Sequence, residues 1–246
     1  MTTRFGIIGT GMMGCEHIRN LAQIDGVDVV AIADPHEGPR QEARKACAGR
    51  FNPHSYERYE DLLARDDVDA VVIATPNYTH HSVMAAVFQT DKHVLLEKPL
   101  ATTMADCNAL VAQAQRHRGL VWVALEYRYM APIAKTLELL PELGAIHMCA
   151  IREHRFPFLH KVGAWNRFNR YSGGTLVEKC CHFFDLMNLM VPSKPLRVMA
   201  SGGQNVNHLQ ERYDGEVPDI LDNAYVIVEY EGGQRAMLDL CMFAEG

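Results

Sequence analysis

An excess of positive charge, a long apolar run and a paired-cysteine motif are all missing from this 246-residue chain. Lysine and arginine number 24 against 30 acidic residues, a formal net charge of −6. That balance argues against a large phosphate-backbone footprint, so nucleic acid is not an expected partner. No apolar stretch approaches the roughly 18 residues that a membrane helix needs, and Met1 to Gly6 lacks an apolar signal-peptide core. The expectation is a soluble, cytoplasmic protein with no membrane partner. The seven cysteines are odd in number and contain no Cys-x-x-Cys, which excludes a disulfide framework and a zinc ribbon. Cys180 and Cys181 beside His182 have the chemistry of metal ligands. Small apolar side chains packed on a helix explain them more simply, and no metal is expected. The remaining composition, 48% hydrophobic and 22% charged, excludes disorder and fits one large domain or two modest ones.

The first half alternates continuous β-branched runs with amphipathic stretches. Strands are predicted at Phe5–Ile8, Val27–Ala33, Ala70–Ala74, His93–Leu96 and Leu120–Leu125, each apolar throughout, as strands covered on both faces are. Ile18, Leu21, Ala22 and Ile24 carry a helical period, and Thr103 with Asp106 resembles a capping box. Strand–helix–strand alternation of this kind predicts right-handed βαβ units and a doubly wound parallel sheet. Beyond residue 122 the rhythm becomes α+β. A short helix is expected at Pro132, a strand near Ala145–His154, a helix at roughly 175–190, and strands at Ala224–Tyr230 and Arg235–Phe243 joined by Glu231–Gln234. The predicted class is α/β, with a dinucleotide-binding Rossmann domain over 1–122 and an α+β substrate and oligomerisation domain over 123–246.

Gly9-Thr10-Gly11-Met12-Met13-Gly14 follows an apolar strand and opens an amphipathic helix. In that context Gly9 permits the tight turn, Gly11 lets a pyrophosphate approach the backbone, and Gly14 lets the helix pack close to the strand. The diphosphate then faces free N–H groups at a helix N-terminus. Asp34, twenty residues beyond Gly14, stands where a carboxylate accepts hydrogen bonds from an adenosine ribose. A carboxylate there repels a 2′-phosphate, so NAD is favoured, with NADP left open because Arg40 lies near.

Three further segments narrow the reading: Thr75-Pro76-Asn77-Tyr78-Thr79-His80 after the fourth strand, Glu97-Lys98-Pro99 after the fifth, and Gly173–Asp185 in the second half. Together with the fingerprint these resemble the glucose–fructose oxidoreductase/inositol dehydrogenase (Gfo/Idh/MocA) family along essentially the whole chain. The resemblance implies that Thr75, Pro76, Asn77 and His80 lie against the cofactor and that Glu97 touches the nicotinamide or its ribose. It makes Lys98, before a proline that is often cis, the catalytic lysine, and His182 the catalytic histidine. It also places Tyr127 and Arg128 near the substrate, with Trp165 and Arg167 on a loop lining it. His154, with Arg152 on the same strand face, is a further candidate for substrate contact.

The chemistry agrees with those roles. Oxidising a secondary alcohol needs a hydride acceptor and a group that takes the hydroxyl proton. An imidazole titrates near neutrality, and a lysine stabilises developing alkoxide charge. Two departures stand out. Glu178 occupies a position where the family usually has Asp, four residues before His182 and on the same helix face, so it is expected to act with the catalytic group by pairing with His182 or Lys98; Lys179 follows where a small residue is common. The chain also stops after the strand Ala236–Phe243, whereas family chains run further. The expectation is a truncated second domain, with that strand left as an apolar edge or with its neighbour missing, and a homo-oligomer, dimer or tetramer, formed through the second domain. The expected function is NAD(P)-dependent hydride transfer involving a hydroxyl or carbonyl of a small-molecule polyol or sugar substrate. The alternatives are a non-catalytic dinucleotide-binding regulator of the same fold and an NAD-dependent enzyme that cleaves glycosidic bonds through transient oxidation.

Overall fold

The apolar runs of the first half become the strands of one parallel sheet. The computed structural model describes residues 2–244 and divides into two units between Ala124 and Leu125. In the first, β1 (Thr3–Ile8), β2 (Val27–Ala33), β3 (His54–Tyr56), β4 (Ala70–Ile73), β5 (His93–Glu97) and β6 (Val121–Ala124) pair in the order β3-β2-β1-β4-β5-β6. All the pairings are parallel. Helices α1 (Met12–Leu21), α2 (Glu37–Ala46), α3 (Tyr59–Leu63), α4 (His80–Val87) and α5 (Met104–Ala114) connect them. This is the doubly wound order, in which the strand sequence reverses between β1 and β4.

The continuous apolar character of these strands follows from two-sided burial. Ile7 of β1 and Val72 of β4 pack with Ile18 of α1 and Ala43 of α2 on one face. Ile8, Val71 and Ile73 pack with Leu62, Val83 and Met84 on the other. Each such valine, leucine, isoleucine or methionine contributes about 1.5–3 kcal/mol when fully buried. Thr103 caps α5, its hydroxyl accepting from the Asp106 N–H. The strand β3 escapes sequence patterning because only three residues pair, at the sheet edge.

Asp69 ties β1 to the start of β4. Its carboxylate accepts from the Arg4 guanidinium and backbone N–H, and the Arg4 hydrogen bond holds its pKa down at about 2. A carboxyl depressed in the folded state contributes stability that is present above its unfolded pKa and lost as pH falls through the folded value. Asp69→Asn should therefore melt at a lower temperature than the parent at neutral pH. The gap should narrow as pH falls from about 4 toward 2, which calorimetric melts across that range would check.

The second unit is built on a mixed sheet. Its elements begin with α6 (Ala131–Leu139), with Pro132 in its first turn, and β7 (Met148–His154). Then come α7 (Asn169–Ser172), α8 (Thr175–Glu178), α9 (Cys181–Met190), β8 (Pro195–Gly203), β9 (Asn223–Tyr230) and β10 (Arg235–Cys241). The strand order is β7-β10-β9-β8. The helix expected as one piece at 175–190 is two, because the chain breaks at Lys179 and Cys180. The strand expected as an apolar edge is not one. β10 lies between β7, parallel to it, and β9, antiparallel, so the edges are β7 and β8. Glu245 and Gly246 lie outside the described residues.

One sheet face is the core of this unit. Phe183 and Met187 of α9 pack with Val226, Val228, Leu238 and Leu240. The register puts Met148, Arg152, Met199, Tyr225, Ile227, Met237 and Asp239 on the other face, where Met148 and Tyr225 are exposed.

Candidate functional site

The turn after β1 shows why glycine is used where it is. Gly9 has φ +86°, and a Cβ on it would lie 2.7 Å from the Ala74 backbone. A Cβ on Gly14 would lie 2.1 Å from the Gly9 carbonyl oxygen. Gly11 differs: a Cβ there meets nothing within 4 Å, so the space above it is open to a ligand. Gly11 is also the N-cap of α1 and provides no side-chain cap, which leaves N–H groups of the first turn to an anion. Met12 and Met13 follow, exposed. Thr10 is fully buried, and its hydroxyl has no hydrogen-bond partner among the described residues.

Asp34 closes this cradle from the end of β2. One carboxylate oxygen accepts from the Thr10 N–H (2.9 Å) and the other from the His36 N–H (2.9 Å). Arg40, the side chain that left NADP open, is buried. Its guanidinium donates to the Asp34 carbonyl and to Glu37, and lies 3.3 Å from Glu57. It is committed to the protein rather than extended toward a phosphate. Open space over Gly11, an uncapped helix N-terminus and a carboxylate at the second strand together fit an adenine dinucleotide.

Across the strand reversal, Thr75 and Pro76 leave β4 and enter a single 3-10 turn over Asn77–Thr79, in which Asn77 is buried. The Thr79 hydroxyl lies 2.7 Å from that of Thr75. His80 was expected to lie against the cofactor. Instead its imidazole is fully buried, with Nδ1 2.8 Å from the Pro99 carbonyl and Nε2 3.1 Å from that of Thr75. It clamps the Thr75 loop to the turn that carries Lys98. The Lys98–Pro99 peptide is cis. Glu97 is buried at the end of β5, where one carboxylate oxygen accepts from the Lys98 N–H and the other lies 2.7 Å from His17 Nε2. His17, on α1, carried no motif; its partner is 80 residues away.

The second unit gathers its own group around His182, which α9 presents in its first turn and which is buried. Tyr127 stacks on it, with ring centroids 4.1 Å apart and planes 8° from parallel. Glu126 Oε1 lies 3.5 Å from His182 Nε2. Lys179 donates to the Tyr127 hydroxyl and lies 3.2 Å from Glu153 of β7. Glu178 is buried and takes Lys161 as an ion-pair partner at 3.1 Å, a pairing the sequence reading did not foresee. Lys161 also sits 4.4 Å over the Trp165 ring, so the Trp165 loop is joined to Glu178. Arg128 makes a two-pronged ion pair with Asp185, one turn beyond His182.

Two expected substrate contacts, His154 and Arg167, have protein partners of their own. His154 and Arg152 share a partner, Asp239, at 3.0 and 2.9 Å. They lie on the opposite face of β7 from Glu153, because strand side chains alternate. Arg167 is buried in a separate network, donating to Glu211 and to the Phe158 carbonyl. Burial pushes the Glu211 carboxyl up, but hydrogen bonds from His208, Tyr213 and Arg167 outweigh it and hold the pKa at about 2. Cys180 is fully buried, and burial raises its thiol to about 12, which makes it a packing side chain and a poor thiolate ligand.

Comparison with known proteins covers both units. Residues 3–125 match a family model described as an oxidoreductase family, NAD-binding Rossmann fold, and residues 138–246 match that family's C-terminal alpha/beta domain. A 2,7-anhydro-N-acetylneuraminate hydratase of Mediterraneibacter gnavus is 28% identical over 239 residues, covering 93% of this chain and 61% of the relative. An inositol 2-dehydrogenase of Salmonella paratyphi B is 37% identical over 131 residues, covering 52% of this chain and 38% of the relative. The chain thus spans less than two thirds of the length of these relatives. A solved structure of myo-inositol 2-dehydrogenase from Lactobacillus plantarum superposes with a TM-score of 0.83 at 19% identity, over 99% of this chain and 71% of that one, a likeness of fold.

Proposed function

The chain belongs to the Gfo/Idh/MocA oxidoreductase family, and from that premise we propose that it oxidises a hydroxyl, or reduces a carbonyl, of a polyol, sugar or sugar-like small molecule with NAD. Gly9, Gly11, Gly14 and the first turn of α1 hold the diphosphate, and Asp34 takes the adenosine ribose. NAD, when bound, supplies the two-electron redox chemistry. Lys98 stabilises charge on the reacting oxygen, and His182 carries the hydroxyl proton. Tyr127 orients the imidazole. Glu178 with Lys161, Arg128 with Asp185, and Trp165 shape the surroundings of that histidine.

The observation that carries this reading is the pairing, in one chain, of an NAD-binding unit that carries Lys98 just beyond the end of a strand with a second unit that holds an imidazole beside a carboxylate. A regulator needs no such acid–base group. The hydratase relative, alignable over 93% of the chain, favours a second reading: transient oxidation that activates a neighbouring C–O bond for cleavage. Net accumulation of NADH with a polyol distinguishes the first, and turnover without net NADH the second. We also propose a homo-oligomer formed through the exposed face of the second sheet, in the cytoplasm. Sedimentation should show a species larger than one chain, and a monomer at high concentration would contradict it.

Calorimetry tests the cofactor assignment. NAD(H) should bind more tightly than NADP(H), because the Asp34 carboxylate repels a 2′-phosphate. Asp34→Ala should shrink that preference. A parent chain that prefers NADP would overturn the assignment.

A further inference from the structure

Lys179 is buried, a rare condition for lysine. It sits in the joint between α8 and α9, three residues before His182. Its ammonium donates to the Tyr127 hydroxyl, lies 4.9 Å from the centroid of the same ring and 5.4 Å from that of Phe183. Tyr127 in turn lies flat on His182. An ammonium at the hydroxyl edge of Tyr127 and an imidazole on its face are therefore linked through one ring within the second unit.

The charges around these rings come from several elements. The 3-10 turn before α6 brings Glu126 to His182 Nε2 and Arg128 to Asp185 of α9. The joint brings Lys179. β7 brings Glu153, which is shared between Lys179 and Arg155. The end of α8 brings Glu178, paired with Lys161. Glu126 favours the protonated imidazole. Lys179 opposes it: its positive charge repels an imidazolium.

We propose that Lys179 is a positioning residue for His182, acting through Tyr127 to hold the imidazole plane and to set its proton affinity. With the ammonium in place the neutral, proton-accepting ring is favoured at neutral pH. Glu153 tunes the effect by neutralising part of that charge. The proposal rests on His182 being the proton carrier of the proposed reaction, and it adds a residue to which no motif gave a role.

The test uses the whole chain without substrate, so that it stands apart from any activity assay. The ring C–H resonances of the 12 histidines are followed by NMR across pH, with His182 assigned from its loss in His182→Asn. Lys179→Met should raise the His182 midpoint by about 0.5–1 pH unit, and Glu153→Gln should lower it. Lys179→Arg, which keeps the charge, should restore the parent midpoint. A purely structural lysine does not produce opposite signs from the two changes. Absence of a shift, or shifts in the same direction, would overturn the proposal. Should Lys179→Met fail to fold, Glu153→Gln decides alone, and no downward shift there overturns it.

Discussion

Lys98→Ala should lower turnover about 10²-fold or more, and His182→Ala should do the same, the usual scale for a positioned acid–base group. Lys98 is the first residue beyond β5, at the carboxyl end of a parallel sheet, where open α/β sheets place their ligands. Its backbone is held from two sides: the Glu97 carboxylate accepts its N–H, and His80 lies against the Pro99 carbonyl. Alanine leaves those backbone contacts in place and removes the alkyl chain with its ammonium, so the loss should fall on turnover while the melting temperature changes little. His182 is buried under Tyr127, and its replacement removes the ring that takes the proton. NAD affinity measured by calorimetry should survive the His182 change, since the dinucleotide cradle is built from β1, α1 and Asp34. Near-normal turnover in either variant would show that the reacting groups lie elsewhere.

The second large effect is expected at the glycines, and it separates two roles that one motif combines. Gly14→Ala places a Cβ 2.1 Å from the Gly9 carbonyl. That oxygen is backbone and cannot step aside, so α1 must move from β1. Overpacking of this kind costs about 1–3 kcal/mol, and the displaced helix N-terminus should also lose NAD affinity, about tenfold or more. Gly11→Ala meets no protein atom within 4 Å and has φ −67°, a value any residue adopts. It should melt like the parent yet bind NAD at least about tenfold more weakly, because its Cβ occupies the space that the diphosphate needs. Thermal melts with and without NAD read both quantities. A Gly11→Ala variant with parental NAD affinity would remove the diphosphate from this turn.

The first unit was legible wherever two-sided burial wrote a continuous apolar run. Val27–Ala33 is the strand that its β-branched residues announce, and β4 is apolar because both faces are covered. β3 is too short to carry a pattern. β8 was missed for a different reason: nearly all its residues are exposed, so Pro195–Gly203 has no buried face to impose alternation. The motifs single out Lys98, His182 and Asp34 as candidates, because their neighbours must keep particular backbone geometry. Their partners were not legible. His17 meets Glu97 across 80 residues, and Arg128 meets Asp185 across 57, and no spacing rule links positions so far apart. Lys161 and Glu153 were invisible for the same reason. The two carbonyl partners of His80 were not legible, because a motif histidine looks the same whether it faces a ligand or clamps two carbonyls.

The central claim is that this chain passes electrons between NAD and a small polyol or sugar. The most direct measurement mixes the protein, in excess over NAD, with a panel of inositols, monosaccharides and anhydrosugars, and follows nicotinamide absorbance through the first turnover. The account predicts that at least one substrate reduces the bound NAD, lastingly for a dehydrogenase or transiently for cleavage through oxidation. It also predicts that Lys98→Ala abolishes the signal while retaining NAD. Bound NAD that stays oxidised with every member of the panel, in a folded parent protein, would contradict it.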